Sequence, residues 1–308
     1  TAPLAPRVDP DAVAANLPPP VPADQAALSE WWYPTNMSVR AYQQSICKTA
    51  LCHNTLVSIP TGMGKTLIAA VVMFNFHRWF PTGRLAFLAP TKPLIHQQIR
   101  AVRKTVGLPK SAMAELTGAL KPEERGKLWR GACRLFFLTP QTLVNDLEQC
   151  LCPAHELVCL VIDEAHKATG QHAYVQVVRM LRERSGGFRV LALSATPGRD
   201  PMAVQQVVTN LCISRVESRD EQSVDVVGSL CDRTVQVLRV AIDGPYLRAR
   251  ESVALIFGNM LRKLAGFGVM YDTDPQRVSS FQLFDLMNKL STAPPPSMQA
   301  HQKFACMS

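Results

Sequence analysis

The amino-acid sequence predicts an α/β protein built on a doubly wound parallel sheet, and three observations carry that prediction. From Met37 to about Ser214, short apolar runs alternate with amphipathic helical stretches. One run leads into Ile59-Pro60-Thr61-Gly62-Met63-Gly64-Lys65-Thr66, and another into Asp163-Glu164-Ala165-His166. Five successive runs each end in a polar, Gly- or Pro-marked turn, as expected where ligand-binding segments line the carboxyl edge of an open sheet.

In chain order, residues 1–36 are rich in Pro and Ala, with Pro18-Pro19-Pro20 in the middle. That composition buries little surface and predicts an extended, disordered arm, with Trp31-Trp32-Tyr33 packing back onto the folded part. Strands are predicted at Thr55–Ile59, Leu85–Ala89, Leu135–Leu138, Leu157–Ile162 and Val190–Leu193. They lead in turn to the Gly-rich segment, to Pro90-Thr91-Lys92-Pro93, to Thr139-Pro140-Gln141, to Asp163-Glu164-Ala165-His166 and to Ser194-Ala195-Thr196. This lobe spans residues 37–214. Residues 215–290 read as a connector and partial helical insert, with a short strand at Val235–Val240 and helices at Tyr246–Leu264 and Ser280–Leu290. In the first helix Leu247, Val253, Ile256, Met260, Leu261 and Leu264 form an apolar stripe. Residues 291–308 hold a Pro triplet, lack periodicity and read as a frayed tail.

Composition narrows the class. Hydrophobic residues make up 47% of the 308, enough for a sizeable core. A net charge of +9 and a pI near 9.2 point to an acidic partner, most commonly nucleic acid. Nine cysteines lack the spacing of a disulfide framework, and Cys150 and Cys152 are too close for an ordinary zinc site. They read as reduced, mostly buried thiols of an intracellular protein. No apolar run reaches the roughly 18 residues of a membrane span, and the N-terminus reads as lacking a hydrophobic signal core.

The segment Pro60–Thr66, between an apolar strand and a helix, reads as a phosphate-binding loop, or P-loop. Gly62 and Gly64 let backbone N–H groups approach a phosphate closely, and the following helix adds its positive end. Lys65 is suited to reach the β- and γ-phosphates, and the Thr66 hydroxyl to ligate Mg²⁺. The full pattern has Gly where this chain has Ile59, so the motif is a variant. Asp163, at the end of a buried run, is placed to hold Mg²⁺. Glu164 is placed to orient and deprotonate the water that attacks the γ-phosphate. An acidic helix start would leave the same residues, but the P-loop upstream favours nucleotide hydrolysis.

Gln43, Pro60–Thr66, Ala89–Leu94, Thr117-Gly118, Thr139–Gln141, Asp163–His166 and Ser194–Thr196 resemble, in this order, the first motor domain of a superfamily 2 helicase. That domain is a RecA-like lobe of the P-loop NTPases. Segments Ile59–Pro81, Ala89–Gln98, Leu160–Lys167, Leu191–Gly198 and Val204–Leu211 are similar to the Fanconi anaemia complementation group M family of DNA translocases and its archaeal Hef branch. The likeness covers about residues 30–220. It implies ATP and Mg²⁺ as cofactors, with Gln43, Pro60, Thr61, Gly62, Met63, Gly64, Lys65 and Thr66 around the nucleotide and Thr66 and Asp163 on the metal. Gln43 would read the adenine edge. His166 would couple the γ-phosphate state to the rest of the motor, and Ser194 and Thr196 would link hydrolysis to DNA movement. Thr91, Lys92, Thr117, Gly118, Thr139 and Gln141 would grip the phosphates of one DNA strand without reading bases, although ordinary turn chemistry uses the same residues. Branched DNA at stalled forks and four-way junctions, repair-complex proteins, a nuclear location and no membrane follow from the same resemblance.

Nothing after residue 220 offers a second strand–helix array with such motifs. The chain therefore reads as one motor lobe plus part of a helical insert, expected to hydrolyse ATP poorly by itself. Two other readings stay open. One is the lobe of an RNA helicase of the Dicer and RIG-I-like group, and the other a non-catalytic DNA-binding or adaptor fragment.

Overall fold

The computed structural model describes residues 21–196, 201–227, 237–241 and 243–292. They fall into two units, divided between Asp232 and Arg233.

The first unit is organised by seven strands: β1 Thr55–Ser58, β2 Arg84–Leu88, β3 Met113–Leu116, β4 Leu135–Leu138, β5 Leu157–Ile162, β6 Arg189–Ser194 and β7 Arg215–Ser218. All pairings are parallel, in the order β3-β4-β2-β5-β6-β1-β7. The predicted doubly wound sheet is present, and each of the five predicted strands lies within a residue or so of its expected place. Two strands were not expected. Met-Ala-Glu-Leu at β3 and Arg-Val-Glu-Ser at β7 carry charged residues and no continuous apolar run, because both are edge strands. β7 also lies beyond the boundary at residue 214 that composition suggested, so the sheet extends past it.

Buried parallel strands alternate their side chains between two helical layers. The described helices of this unit are α1 Gln25–Leu28, α2 Ala41–Cys52, α3 Lys65–Trp79, α4 Lys92–Val106, α5 Pro122–Arg130, α6 Pro140–Glu148, α7 Ala173–Arg184, α8 Pro201–Asn210 and α9 Val224–Val227. Val57, Phe87, Val161 and Leu193 pack with α2, α3 and α4 through Ile46, Val72 and Ile95. Leu56, Leu88, Leu160 and Val190 pack on the opposite face with Trp129, Leu147, Leu181 and Val207 from α5 to α8. Burying each such side chain contributes about 1.5–3 kcal/mol. Phe87 and Phe137 are register partners whose rings stack at 5.6 Å across β2 and β4.

Residues 21–36 correct the expectation of a disordered arm. Trp32 N–H donates to Asn75 Oδ1 (2.7 Å) and Asn75 Nδ2 donates back to Trp32 O (2.8 Å), while Asp24 N–H donates to Trp79 O (2.8 Å). The Arg78 guanidinium lies 3.7 Å above the Trp32 ring. Trp31 and Tyr33 pack on the core beside α3. Three consecutive aromatics and a buried amide on α3 therefore hold a segment whose Pro content alone suggested none. The arm's residues 1–20 lie outside the described residues.

In the second unit, α10 Gly244–Gly266 and α11 Ser280–Thr292 match the two predicted helices. The stripe on α10 divides: Gly258 and Leu261 are buried, whereas Val253, Ile256 and Met260 are more than half exposed. Gly258 permits the Pro275 ring to approach, since a Cβ there would lie 3.3 Å from its Cγ. The strand expected at Val235–Val240 is absent from its described part: residues 237–240 are irregular and exposed, and among the described residues no strand pairs with them to satisfy their backbone groups. Positions 235 and 236, and tail residues 293–308, lie outside the described residues. Seven cysteines are described and all are free; Cys47, Cys152 and Cys159 are buried, so most of these seven are not.

Candidate functional site

Strand register puts the expected turns on one edge. Ser58 pairs with Ser194, Leu88 with both Ile162 and Leu138, and Leu138 with Leu116. The segments after β1, β2, β3, β4, β5 and β6 therefore leave the sheet side by side. The strand order divides them: the P-loop, Asp163 and Ser194 emerge from β1, β5 and β6, while Thr91, Thr117 and Thr139 emerge from β2, β3 and β4.

In the P-loop, Gly62 (φ 89°) and Gly64 (φ 94°) both adopt the left-handed conformation that other residues rarely reach. Gly64 forms the N-cap of α3, and no side chain caps that helix. Its first-turn N–H groups thus face the loop without a side-chain acceptor. A Cβ on Gly64 would collide with the Gln43 amide. Ile59, where the pattern has Gly, takes no positive φ and buries its side chain in the core, which is why Gly is dispensable there. Ile59 N–H donates to Ser194 O (3.2 Å), and Lys65 Nζ donates to Ile59 O (2.8 Å). Burial pushes the Lys65 pKa down, against the pull of Glu164 and Asp163.

Gln43 is buried on this loop. Its Nε2 donates to Met63 O (2.9 Å), as does the Tyr42 hydroxyl (2.9 Å). The amide expected at a purine is therefore in contact with the loop itself.

Asp163 N–H donates to Leu88 O (2.9 Å), and the Tyr174 hydroxyl donates to Asp163 O (2.7 Å). The Asp163 carboxylate accepts from Glu164 N–H (3.0 Å) and from Gln98 Nε2 (3.3 Å). Burial raises its pKa, opposed by the hydrogen bond from Glu164 N–H. Gln98 Oε1 in turn accepts from the Thr66 hydroxyl (2.8 Å). Glu164 has φ 51° and ψ 47°, a left-handed conformation costing a non-glycine residue on the order of 1–3 kcal/mol. From this turn the Glu164 side chain reaches His166, whose Nδ1 is 3.4 Å from Glu164 Oε2 and 3.2 Å from Ser194 Oγ.

The other half of the edge is open. Thr91, Lys92, Gly118 and Gln141 are exposed, and Thr117 and Thr139 half-buried. Thr139 Oγ1 caps α6 by accepting from Thr142 N–H (3.4 Å), and Gln141 Nε2 donates to Asn145 Oδ1 (3.0 Å). The Thr117 turn is held from below: Arg125 donates to Leu120 O (2.6 Å) and to Asp146 Oδ1 (2.7 Å), and the Trp129 indole to Asp146 Oδ2 (2.8 Å).

A family model for the DEAD/DEAH box helicases matches residues 40–204, more than half of the chain. The chain belongs to this family. This helicase chain is 51% identical over 247 residues to the mouse Fanconi anemia group M protein homolog, covering 77% of the chain and 12% of that protein. It is 40% identical over 281 residues to the Schizosaccharomyces pombe ATP-dependent DNA helicase fml1, covering 91% of the chain and 34% of that protein. The chain thus spans between about an eighth and a third of these two relatives. The crystal structure of the Pyrococcus furiosus Hef helicase domain superposes with a TM-score of 0.64 at 29% identity, over 87% of this chain and 56% of that one. The sheet is the RecA-like helicase fold.

The helicase site fits ATP and Mg²⁺ on its own chemistry. An uncapped helix start and two left-handed glycines suit phosphate oxygens. The Thr66 hydroxyl and Asp163 carboxylate, joined through one amide, are hard oxygen donors of the kind Mg²⁺ prefers. Gln98 and Tyr174 were not among the expected site residues. Gln98 was findable: it shares the helical face of Ile95 and Val102, all three buried, and an amide on an apolar face needs a partner. Tyr174 reaches Asp163 only through the fold.

Proposed function

We propose that this chain is the ATP-binding lobe of a DNA-dependent ATPase and translocase that remodels branched DNA in repair, including stalled forks and four-way junctions, in the nucleus. The observation that supports the proposal is the division of one sheet edge into a P-loop half and an open half of hydroxyl, amide and ammonium side chains. The name of the Schizosaccharomyces pombe relative, an ATP-dependent DNA helicase, supports DNA as the polymer.

In this reading Lys65 exchanges Ile59 O for the nucleotide's phosphates, and Thr66 and Asp163 hold the cation. Mg²⁺, when bound, neutralises charge that develops on the phosphates. Glu164 takes a proton from the attacking water, and Gln43 reads the purine from its seat on the P-loop. His166, Ser194 and Thr196 carry the nucleotide state toward the DNA side. Thr91, Lys92, Thr117, Gly118, Thr139 and Gln141 hold phosphates through hydroxyls, amides and one ammonium, which suits a motor that must ignore base sequence. A second lobe would supply the arginines that stabilise the transition state, worth on the order of 10³–10⁵ in rate where measured. The isolated chain should therefore bind nucleotide and turn it over slowly.

The test is titration of this chain with a fluorescent ATP analogue, with and without Mg²⁺. It is paired with anisotropy on forked DNA, four-way junctions, linear duplex DNA and duplex RNA. Mg²⁺-dependent nucleotide binding and tighter binding to branched DNA than to duplex RNA are expected. Equal or tighter binding to duplex RNA would overturn the DNA assignment.

A further inference from the structure

We propose that Gln98 is a positioning residue that ties the DNA-contacting turn at Thr91–Lys92 to the metal-binding pair Thr66 and Asp163. The proposal rests on the nucleotide and DNA reading above and adds a physical link between its two halves.

The link begins in the helix that carries Gln98. α4 starts at Lys92, directly after Thr91, with Pro93 in its first turn. Gln98 lies six residues from Lys92, about 9 Å along the axis. Ile95 and Val102 anchor the same face in the core, and α4 lies against α3, which carries Thr66. The helix is therefore held as one body, with its exposed first turn on the open half of the edge and its amide in the P-loop half.

The amide's partners fix its orientation. A carboxylate only accepts, so Nε2 faces Asp163, and Oε1 is left to accept the Thr66 hydroxyl proton. With that proton committed to Gln98, the Thr66 oxygen presents lone pairs to a cation. The Asp163 carboxylate is likewise turned by donors on Gln98 and Glu164. Gln98 is only 8% exposed, and no other described side chain hydrogen-bonds to both Thr66 and Asp163. A displacement of the α4 start by DNA must move this amide relative to both ligands, and cation binding must in return alter the hold on DNA. Such coupling is reciprocal by thermodynamic necessity.

Gln98→Met is close in size, suits an apolar helix face and removes both hydrogen bonds. Gln98→Glu keeps the acceptor for Thr66 and turns the Asp163 partner into a repelling charge. Both are to be made in the full 308-residue chain, with thermal unfolding as the check on folding. The readout is the Mg²⁺ concentration at half-saturation of fluorescent ATP-analogue binding, taken with and without saturating DNA. In the wild type, DNA should shift that midpoint. In Gln98→Met the midpoint should rise roughly 3- to 10-fold, in line with the loss of one or two hydrogen bonds, and the DNA-induced shift should vanish. Binding of DNA without nucleotide should stay within about two-fold of wild type, a selectivity that general loosening of α4 would not produce. If Gln98→Met unfolds, loss of the shift in Gln98→Glu carries the test. A folded variant with the wild-type midpoint and wild-type shift overturns the proposal and leaves the nucleotide site standing. A wild type that binds the analogue with Mg²⁺ but shows no DNA-induced shift also overturns it. Absence of any Mg²⁺-dependent binding in the wild type overturns the underlying site and this proposal together.

Discussion

His166 Nδ1 lies 3.2 Å from Ser194 Oγ, and the Ser194 hydroxyl donates to Thr196 O. Because that hydroxyl proton is already used, Nδ1 must carry the proton and donate to Ser194, which sets the imidazole tautomer. One hydrogen bond thus joins the carboxylate turn after β5 to the end of β6. Ser194→Ala should leave Mg²⁺-dependent nucleotide binding near wild type. In a two-lobe protein carrying this chain, it should lower DNA translocation per ATP hydrolysed. Triplex displacement scored against phosphate release measures that ratio, and an unchanged ratio removes Ser194 from the coupling path.

Lys65 and Glu164 should fail in different ways. Lys65→Ala removes the ammonium that reaches phosphate and should nearly abolish nucleotide binding while leaving DNA affinity largely intact. Glu164→Gln leaves Thr66, Asp163 and the loop in place, so the nucleotide should still bind while hydrolysis in a two-lobe protein falls by about 10²–10⁴. Equilibrium binding and single-turnover hydrolysis separate the two variants. Loss of binding in Glu164→Gln as complete as its loss of hydrolysis would show that these roles are not distinct.

Legibility in the sequence followed burial on both faces. β1, β2, β4, β5 and β6 are flanked by helical layers on both sides, so their segments are continuous apolar runs that stand out. β3 and β7 are edge strands, and Glu115, Arg215 and Glu217 interrupt any such signal. The site divides the same way. Turns that follow apolar runs announced Lys65, Asp163 and Ser194, but Gln98 in the middle of α4 and Tyr174 in the first turn of α7 reach the site only through how those helices pack. In segment 21–36 the aromatic run Trp31-Trp32-Tyr33 announced packing onto the folded part, but the order of the rest was hidden because it lies in contacts with Asn75 and Arg78, over forty residues on, rather than in its own composition.

Gly64 and Gly62 make an internal comparison. Both have positive φ, so alanine at either is strained by about 1–2 kcal/mol. Only at Gly64 does the new Cβ meet the buried Gln43 amide; at Gly62 nothing lies within 4 Å. Gly64→Ala should therefore lower the unfolding temperature more than Gly62→Ala and weaken nucleotide binding by displacing Gln43 from Met63 O. Differential scanning fluorimetry on the two variants decides it, and equal losses would mean that Gln43 moves aside at little cost.

His77 sets a pH dependence remote from the site. Its Nε2 is 2.6 Å from an Arg134 guanidinium nitrogen, and burial, then that positive charge, push its pKa down to about 4. In the unfolded chain the value is near 6.5. Below that pH the unfolded state takes up a proton that the folded state refuses, so this contribution is full above 6.5 and is lost as pH falls toward about 4. The ring is partly exposed, so after solvent screening the effect is about 1 kcal/mol or less. His77→Gln keeps an acceptor for Arg134 and cannot titrate. Urea unfolding at pH 7 and pH 4.5 should show the wild type losing more stability than this variant, and parallel losses would place the titration elsewhere.

The open half of the edge makes the last prediction. Lys92 is exposed at the start of α4, beside Thr91 and on the same sheet edge as the Thr139 turn. If these residues meet phosphates, affinity should be indifferent to base sequence and fall linearly as log Kd is plotted against log salt. The slope should be about 0.7–0.9 per neutralised phosphate. Lys92→Ala should weaken binding to unrelated oligonucleotides by the same factor and flatten the slope by roughly one contact. Gln141→Ala, which removes an amide and no charge, should weaken binding and leave the slope unchanged. Fluorescence anisotropy on several sequences across a salt series measures both quantities. A sequence-selective loss in Lys92→Ala, or an unchanged slope, would take Lys92 off the DNA path and confine the function of this edge to its nucleotide half.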